Sequence, residues 1–360
     1  MPDQPQLDLQ ISGWGAVSPA GWDAGSLTHA LAGHAAGGPG AGLPVTRARR
    51  HPEAPETAVR ELPPPPAGVA LPRHPRLRRT SPVARHAMAA ALQAVGPERI
   101  EAVRQGELSL GIVFCVMNGC VQFSRRFYHE VLENPATASP MVFPETVFNS
   151  PSSHLSTALG CSALNYTIIG DAAGFFSGLT LARQWLEDGD VEAVLVVAAE
   201  EIDWLSAEAV QLFDRNGITA EGAGALLLET ASNTAGPPAR LTCLPEPLVY
   251  GPRLDQAQAV GRIAEALRQH LADDQQTGDP TLLIDSQRGH TRLDRAEELA
   301  WPGWSAPKWS PIGCLGEGFA ANGAWQCVAA CEAIARGHAP AVAVSGVGGT
   351  MQVGGAVFRR

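Results

Sequence analysis

The sequence predicts an α/β protein in which helices cover layered sheets, built from two related halves. Predicted strands and helices alternate along most of the chain. The strands at residues 108–115 and 191–198 are continuously apolar, which is typical of a sheet that is covered on both faces. A helix, a glycine and a strand at residues 178–197 recur at residues 326–345, about 148 positions later. A duplicated α/β unit explains this recurrence.

The individual elements follow from local signals. A strand at residues 7–14 precedes a helix from about Asp23, and Ser81 with Pro82 forms an N-cap and first-turn pair for a helix that ends near Val95. The remaining predicted elements of the first half are a strand at 108–115, helices at 120–132 and 150–159, a strand at 163–169, a helix at 172–187 and a strand at 191–198. Residues 33–75 are rich in Gly, Pro and Ala, which predicts an irregular excursion.

A polar linker at residues 230–238 separates the two predicted halves. Its Thr-Ala-Ser-Asn-Thr-Ala-Gly-Pro-Pro sequence follows the last strand of the first half. We therefore expect an N-terminal half at 1–232, including the excursion, and a C-terminal half at 233–360.

Composition excludes several classes of protein. The 360 residues are 45% hydrophobic, enough for a sizeable core, but only 17% are charged, which favours a surface shared with another subunit. The net charge of −10 opposes binding to nucleic acids or anionic membranes. The longest aliphatic run, 193–199, is far too short to span a bilayer and the first residues lack a signal pattern, so we expect a cytoplasmic protein.

The cysteines predict neither disulfides nor a metal centre. The seven cysteines are scattered through apolar segments without CxxC or Cys-His ligand spacing. We expect most of them to be reduced and buried. No metal or other cofactor is predicted.

The turn between the strand at 163–169 and the helix at 172–187 is where an α/β fold usually places its chemistry, because free N–H groups and the positive helix dipole meet there. Around this turn, residues 139–149 (SPMVFPETVFN), 154–156 (HLS), 159–160 (LG) and 189–195 (GDVEAVL) resemble the β-ketoacyl synthases of the thiolase fold. Residues 11–19 and 345–350 are similar to the family's ends, so the resemblance covers nearly the whole chain. It implies a five-layer αβαβα arrangement.

The family's catalytic residues do not carry over. The resemblance places the nucleophilic cysteine at Ala172, the two catalytic histidines at Ser286 and Glu317, the nearby lysine at Ile312 and the gating phenylalanine at Val347. A methyl group cannot hold an acyl chain as a thioester. Asp171 and Glu317, if ionised, would oppose the anions that condensation creates. No catalytic residue is therefore predicted.

The pattern resembles the chain-length-factor-like subunits, which lack the cysteine. These pair with an active synthase and shape the acyl tunnel across the dimer interface in type II polyketide, polyene or fatty-acid-like biosynthesis. The implied partners are a catalytic ketosynthase, in a heterodimer, and an acyl carrier protein. The candidate tunnel and interface residues are Cys120, Phe123, Phe127, Phe143, Thr146 and Val347. Ordinary core or interface packing is the alternative explanation for Phe123 and Phe127. The basic run of Arg73, Arg76, Arg78 and Arg79 suits an acidic carrier protein or is a solvated loop.

Other chemistry is open at this point. Cys314, in a predicted loop, could act with His290 and Asp285, and Asp171 could be a nucleophile instead of an N-cap. Cys327 and Cys331 share a helix face and are typical of core packing, and Glu200 with Glu201 are either paired carboxylates or structural. The rival functions are an independent thiolase-superfamily acyltransferase or hydrolase and a homodimeric binding or scaffold protein.

Overall fold

The computed structural model describes residues 9–37, 43–68, 80–230, 239–277 and 281–360. The strands are β1 (Leu9–Val17), β2 (Thr46–Ala48), β3 (Thr57–Arg60), β4 (Leu110–Val116), β5 (Asn165–Ile169), β6 (Ala193–Glu200), β7 (Thr219–Ala220), β8 (Gly222–Thr230), β9 (Ala239–Cys243), β10 (Leu248–Val249), β11 (Thr281–Ile284), β12 (Lys308–Trp309), β13 (Ala341–Val347) and β14 (Gln352–Arg359). The helices are α1 (Ala24–Ala35), α2 (Pro82–Gln105), α3 (Val121–Glu133), α4 (Ser150–Leu159), α5 (Ala172–Glu187), α6 (Trp204–Phe213), α7 (Gln256–Thr277), α8 (Thr291–Ala300), α9 (Pro311–Leu315) and α10 (Ala320–Ala335).

One large sheet runs through the molecule in the order β12-β11-β13-β14-β9-β1-β8-β6-β4-β5. Strand β9 pairs with β1 on one side and with β14 on the other, so it joins the sheet of the first half to that of the second. Strand β5 pairs with β4 and ends this path.

The two faces of each half-sheet pack against different helices. Along β6 the side chains alternate: Ala193 and Leu195 pack with α2 and α4, whereas Val194 and Val196 pack with α5 and α10. Along β13 the outer side chains pack with α7 and the inner ones again with α5 and α10. The order is therefore helix, sheet, helix, sheet, helix, and the predicted five-layer thiolase-like fold is confirmed.

Helices α5 and α10 occupy equivalent places in this arrangement. Their first residues, Ala172 and Ala320, are 148 positions apart, as are the first residues of β6 and β13. This is the offset at which the sequence pattern recurs. The domain boundary stays a prediction, because residues 231–238 lie outside the described residues.

Three local expectations need correction. The excursion at 33–75 is not wholly irregular, because β2 and β3 form a small sheet with β7. The first segment of α2 ends near Val95, as predicted, because Gly96 takes a left-handed φ of 76°, but the sequence did not predict the second helical segment that Pro97 starts and that reaches Gln105. Cys314 lies in the short helix α9 and not in a loop.

The described part of the chain contains no helix that combines the length and the apolar character needed to cross a bilayer.

Candidate functional site

The turn before α5 is closed by Asp171. This buried carboxylate accepts hydrogen bonds from the N–H of Ala173 (3.3 Å) and from the N–H and hydroxyl of Thr350 (both 2.7 Å). A Cβ at Gly348 would lie 2.0 Å from the Asp171 carboxylate, so only glycine fits there. Asp171 therefore caps α5, as predicted, and also fastens the loop after β13. Its oxygens are occupied, so the structure does not favour Asp171 as a nucleophile.

Ala172, at the position that the resemblance assigns to the nucleophile, is buried at the start of α5. Helix α10 crosses here so closely that a Cβ on Gly323 would lie 2.2 Å from the carbonyl oxygen of Ala172. The side chain of Ala172 is a methyl group and offers no atom for acyl transfer.

Ser286, at the first histidine position, is the centre of a buried polar network. Its hydroxyl donates to the carbonyl of Ser345 (3.0 Å) and accepts from the N–H of Val347 (2.9 Å) and from Gln326 Nε2 (3.2 Å). Its own N–H donates to Glu297 (3.0 Å). The hydrogen bonds of the Ser286 hydroxyl therefore hold the end of β11 to β13.

Glu317, at the second histidine position, forms an ion pair with Arg288, with 2.7 Å between Oε2 and Nη2. The other oxygen of Glu317 accepts from Phe319 N–H (2.9 Å) and Asn322 Nδ2 (2.7 Å). Burial lowers the pKa of Arg288, but the carboxylates of Glu317, Asp294 and Glu297 together more than offset this, so the pKa is raised. An ionised, paired carboxylate cannot supply the hydrogen-bond donor that an imidazole gives to an enolate.

Ile312 and Val347, at the lysine and gating-phenylalanine positions, are both buried apolar side chains. Val347 packs with the core between the second sheet and α7. Neither position brings a charge or a proton donor to the turn.

Two buried carboxyl groups lie behind Ser286. Burial raises the pKa of Asp285 to about 6, although Ser310 Oγ donates to it at 2.6 Å. Burial also raises the pKa of Glu297 well above its ordinary value, and the neighbouring Asp285 carboxylate adds to this. Ser345 Oγ donates to Glu297. Glu297 thus ties α8 to the end of β11 and to β13.

The alternative nucleophile set is not assembled. The Cys314 thiol is buried, contacts the carbonyl of Ala30 (3.7 Å) and has a pKa raised to about 11 by burial, which Arg60 only partly counters. In the described part of the chain no hydrogen bond joins Cys314 to His290 or Asp285. A thiol without a base is a poor nucleophile at neutral pH.

The other cysteines behave as small apolar residues. All seven are free, and five are buried, including Cys327 and Cys331 inside α10. Among the described residues no group of three or more His, Cys, Asp or Glu side chains could hold a metal ion.

Glu200 and Glu201 are structural carboxylates. Glu200 accepts hydrogen bonds from the N–H groups of Met117 (2.5 Å) and Asn118 (3.2 Å), and burial raises its pKa to about 8. Glu201 accepts from the N–H groups of Val83 (3.0 Å) and Gln122 (2.8 Å), and burial raises its pKa to about 7. Val83 and Gln122 are in the first turns of α2 and α3, so Glu201 caps two helices at once.

A face around the edge strand β5 exposes an unusual number of apolar side chains. Met141 (63% exposed), Phe143 (56%), Tyr166 (58%) and Ile169 (57%) are the largest contributors. Residues 139–170 contain no Lys, Arg or Asp, and their one Glu, Glu145, lies 2.8 Å from His154. We call this surface, residues 139–170, the β5 face.

Helix α3 carries the predicted tunnel residues along the border of this face. Cys120 is buried at its N-cap, and Phe123 packs from α3 onto the core beneath α2. Phe127 packs on Phe143 with ring centres 5.4 Å apart, and the Thr146 hydroxyl donates to the Phe143 carbonyl (2.8 Å). The structure thus brings five of the six candidates together, while Val347 lies in the second half. The predicted docking residues Arg73, Arg76, Arg78 and Arg79 fall outside the described residues.

Two features of the site are not visible in the sequence. Arg288 is 29 positions from Glu317 and no motif marks it as a partner. Thr350 lies 179 positions from Asp171. The exposed β5 face leaves a weak signal, since a long uncharged stretch that is not wholly buried must contact something else.

In sequence, the chain matches no family model and no curated protein. In structure, the ishigamide ketosynthase/chain length factor aligns with 98% of this chain and 99% of its own, at TM-score 0.73 and 21% identity. A ketosynthase in complex with its chain length factor from Xenorhabdus doucetiae aligns over 100% of both chains, at TM-score 0.76 and 14% identity. A type II polyketide acyl carrier protein in complex with its ketosynthase aligns over 98% and 99%, at TM-score 0.73 and 17% identity. The chain therefore has the ketosynthase fold over its whole length.

Proposed function

We propose that this chain is a non-catalytic ketosynthase-like subunit, a chain length factor, that pairs with a catalytic β-ketoacyl synthase. The observation that carries the proposal is the contrast between Ala172, Ser286 and Glu317, which offer no thiol or imidazole, and a complete ketosynthase fold around them. The proposed setting is type II polyketide, polyene or fatty-acid-like biosynthesis. The similar structures that contain a chain length factor or a carrier protein support this setting.

The β5 face supports the partner. An exposed edge strand with apolar side chains and few charged neighbours is a ready surface for another protein. Strand β5 has a free hydrogen-bonding edge in the described structure, since it pairs only with β4. We propose that the catalytic ketosynthase covers this edge and that its acyl carrier protein delivers substrate to the pair.

Helix α3 supports a role in chain length. It lies beside the β5 face and presents Phe123 and Phe127 on one stripe. At the interface these rings would cap a tunnel that begins in the partner's active site. Replacing Phe127 by Ala, in the assembled complex, should lengthen the product, and Tyr128→Ala, at the exposed next position of the helix, is the matched control.

The direct test compares three samples in a condensation assay with a carrier protein. They are this chain alone, a candidate ketosynthase alone and the co-expressed pair. We expect the chain alone to be inactive, the pair to purify as one complex, and products of defined length to require both. Turnover and a covalent acyl adduct on the isolated chain would contradict the proposal and favour an independent enzyme of this fold.

The second candidate, a homodimeric binding or scaffold protein, uses the same exposed edge. It is distinguished by molecular mass in solution. A stable homodimer that binds none of the catalytically intact ketosynthases tested would support the scaffold function.

A further inference from the structure

Helix α3 is held at its N-terminal end by the segment after β6, and further along by residues 139–146, where Ser124 Oγ donates to the Thr146 carbonyl and Glu130 accepts the N–H of Ser139. No side chain between Val121 and Glu133 is fully buried, so little core packing fixes the helix. Its N-cap, Cys120, makes no capping hydrogen bond. The first-turn N–H groups of a helix need partners, and here a partner comes from another element.

That partner is the segment directly after β6. The Glu201 carboxylate accepts the N–H of Gln122 at 2.8 Å, and the Gln122 side chain returns a hydrogen bond to the carbonyl of Ile202 at 2.8 Å. One turn further along α3, Arg125 Nε donates to the Asp203 carboxylate at 2.9 Å. Consecutive residues 201–203 therefore hold the first turn and a half of α3, and we call these three hydrogen bonds the grip on α3.

The same segment is itself rigid. Glu201 and Asp203 are almost completely buried. Glu201 also accepts the N–H of Val83 in α2, and Asp203 caps α6 with a reciprocal bond to Ser206. The grip on α3 is thus anchored to α2, α6 and the sheet.

We propose that Glu201, Ile202 and Asp203 are positioning residues for chain length: by fixing α3 they set the depth of Phe123 and Phe127, and hence the length of the product. This rests on the proposed function, because it assumes that α3 borders the acyl tunnel. A side chain that caps a tunnel selects length only if its own position is fixed to a fraction of an ångström.

The test uses two neighbouring arginines on α3. Arg125 is tied to Asp203 outside the helix, whereas Arg126 is tied only to Glu130 within it, at 3.0 Å. In the complex with the catalytic ketosynthase, Arg125→Ala and Gln122→Ala should broaden the product distribution toward longer chains. Arg126→Ala should leave the distribution unchanged.

A second measurement reports position directly. Backbone hydrogen exchange along α3 should become about tenfold faster in Arg125→Ala and Gln122→Ala than in Arg126→Ala. Glu201→Gln should have the same effect on product length as Gln122→Ala. If the Glu201→Gln variant does not fold, Arg125→Ala and Gln122→Ala decide the question.

The outcomes separate this inference from the function beneath it. If Phe127→Ala changes product length but Gln122→Ala and Arg125→Ala do not, the positioning role is wrong and the chain length factor stands. If Arg125→Ala and Arg126→Ala broaden the products equally, charge on α3 matters and the grip does not. If none of the variants, Phe127→Ala included, alters the product, the tunnel assignment of α3 fails with the inference.

Discussion

The centre of the molecule and its β5 face have opposite properties. At the centre, Ala172 and Ser286 are buried and Glu317 is half-buried, and the two polar side chains are occupied by hydrogen bonds and an ion pair from the protein itself. On the β5 face, Tyr166 and Ile169 stand in solvent on an edge strand that lacks a second neighbour in the described structure. The difference teaches that the fold uses its own hydrogen bonds to occupy the polar side chains at the positions of the family's catalytic residues, and leaves large apolar side chains exposed on the β5 face.

The sharpest way to break this comparison is to place charge on the β5 face. Ile169→Arg combined with Tyr166→Arg should weaken association with the catalytic ketosynthase by about 100-fold or more, because buried interface positions do not tolerate unpaired charge. Size-exclusion chromatography and a titration of the two subunits would measure it. Val249→Arg, on an exposed residue of β10, is the control. Equal binding by the variant and the wild type would remove the face from the interface.

The next effect concerns the centre. Asp171→Ala removes three hydrogen bonds and leaves the Thr350 and Ala173 donors without this acceptor. We expect the free energy of unfolding to fall by about 2–4 kcal/mol, measured by denaturant titration. Asp188→Ala, at the exposed far end of α5, is the control and should cost far less. A loss below about 1 kcal/mol for Asp171→Ala would show that this carboxylate contributes little to joining α5 to the loop after β13.

A smaller effect should appear in the pH dependence of stability. The folded-state pKa of Asp285 is raised from 3.8 to about 6 by burial, so ionising it costs more in the folded than in the unfolded chain. The free energy of unfolding should therefore fall as pH rises from about 4 to about 6, by the order of 2 kcal/mol, and change no further for this group above that range. Asp285→Asn should flatten this part of the profile. An unchanged slope would mean that Asp285 is ionised at little cost.

The smallest expected effect is the most informative about function. Ala172→Cys restores a thiol at the helix N-terminus but not the imidazoles, and the negative charge of Asp171 remains beside it. We expect no condensation above background in the isolated chain, assayed with an acyl carrier protein. Measurable turnover by this single variant would show that the centre has kept more of its chemistry than its hydrogen bonds suggest.

Much of the fold could be predicted because its signals are local. Pro151 near the start of α4 and the left-handed Gly160 at its end bracket the helix at the predicted residues, 150–159. Asp171 likewise marks the start of α5. The short strands β2 and β3 were not predicted, since three or four residues show no periodicity and their pairing with β7 depends on residues far along the chain.

The site was only half predictable for the same reason. The residue types at Ala172, Ser286 and Glu317 are read directly from the sequence, and they are enough to predict that the expected chemistry is missing. What those residues do instead depends on long-range contacts, such as Glu317 with Arg288 and Asp171 with Thr350. Helix α3 shows the same limit, because its grip comes from residues about 80 positions away.

The exposed apolar side chains of the β5 face also bear on how the cell makes this protein. Met141, Phe143 and Ile169 remain in water for as long as a newly folded copy is alone, and exposed apolar edges of this kind drive self-association. Under the proposed function, surplus copies are a liability. We therefore expect the two chains to be synthesised in equal amounts, so that each new copy finds a partner before it aggregates.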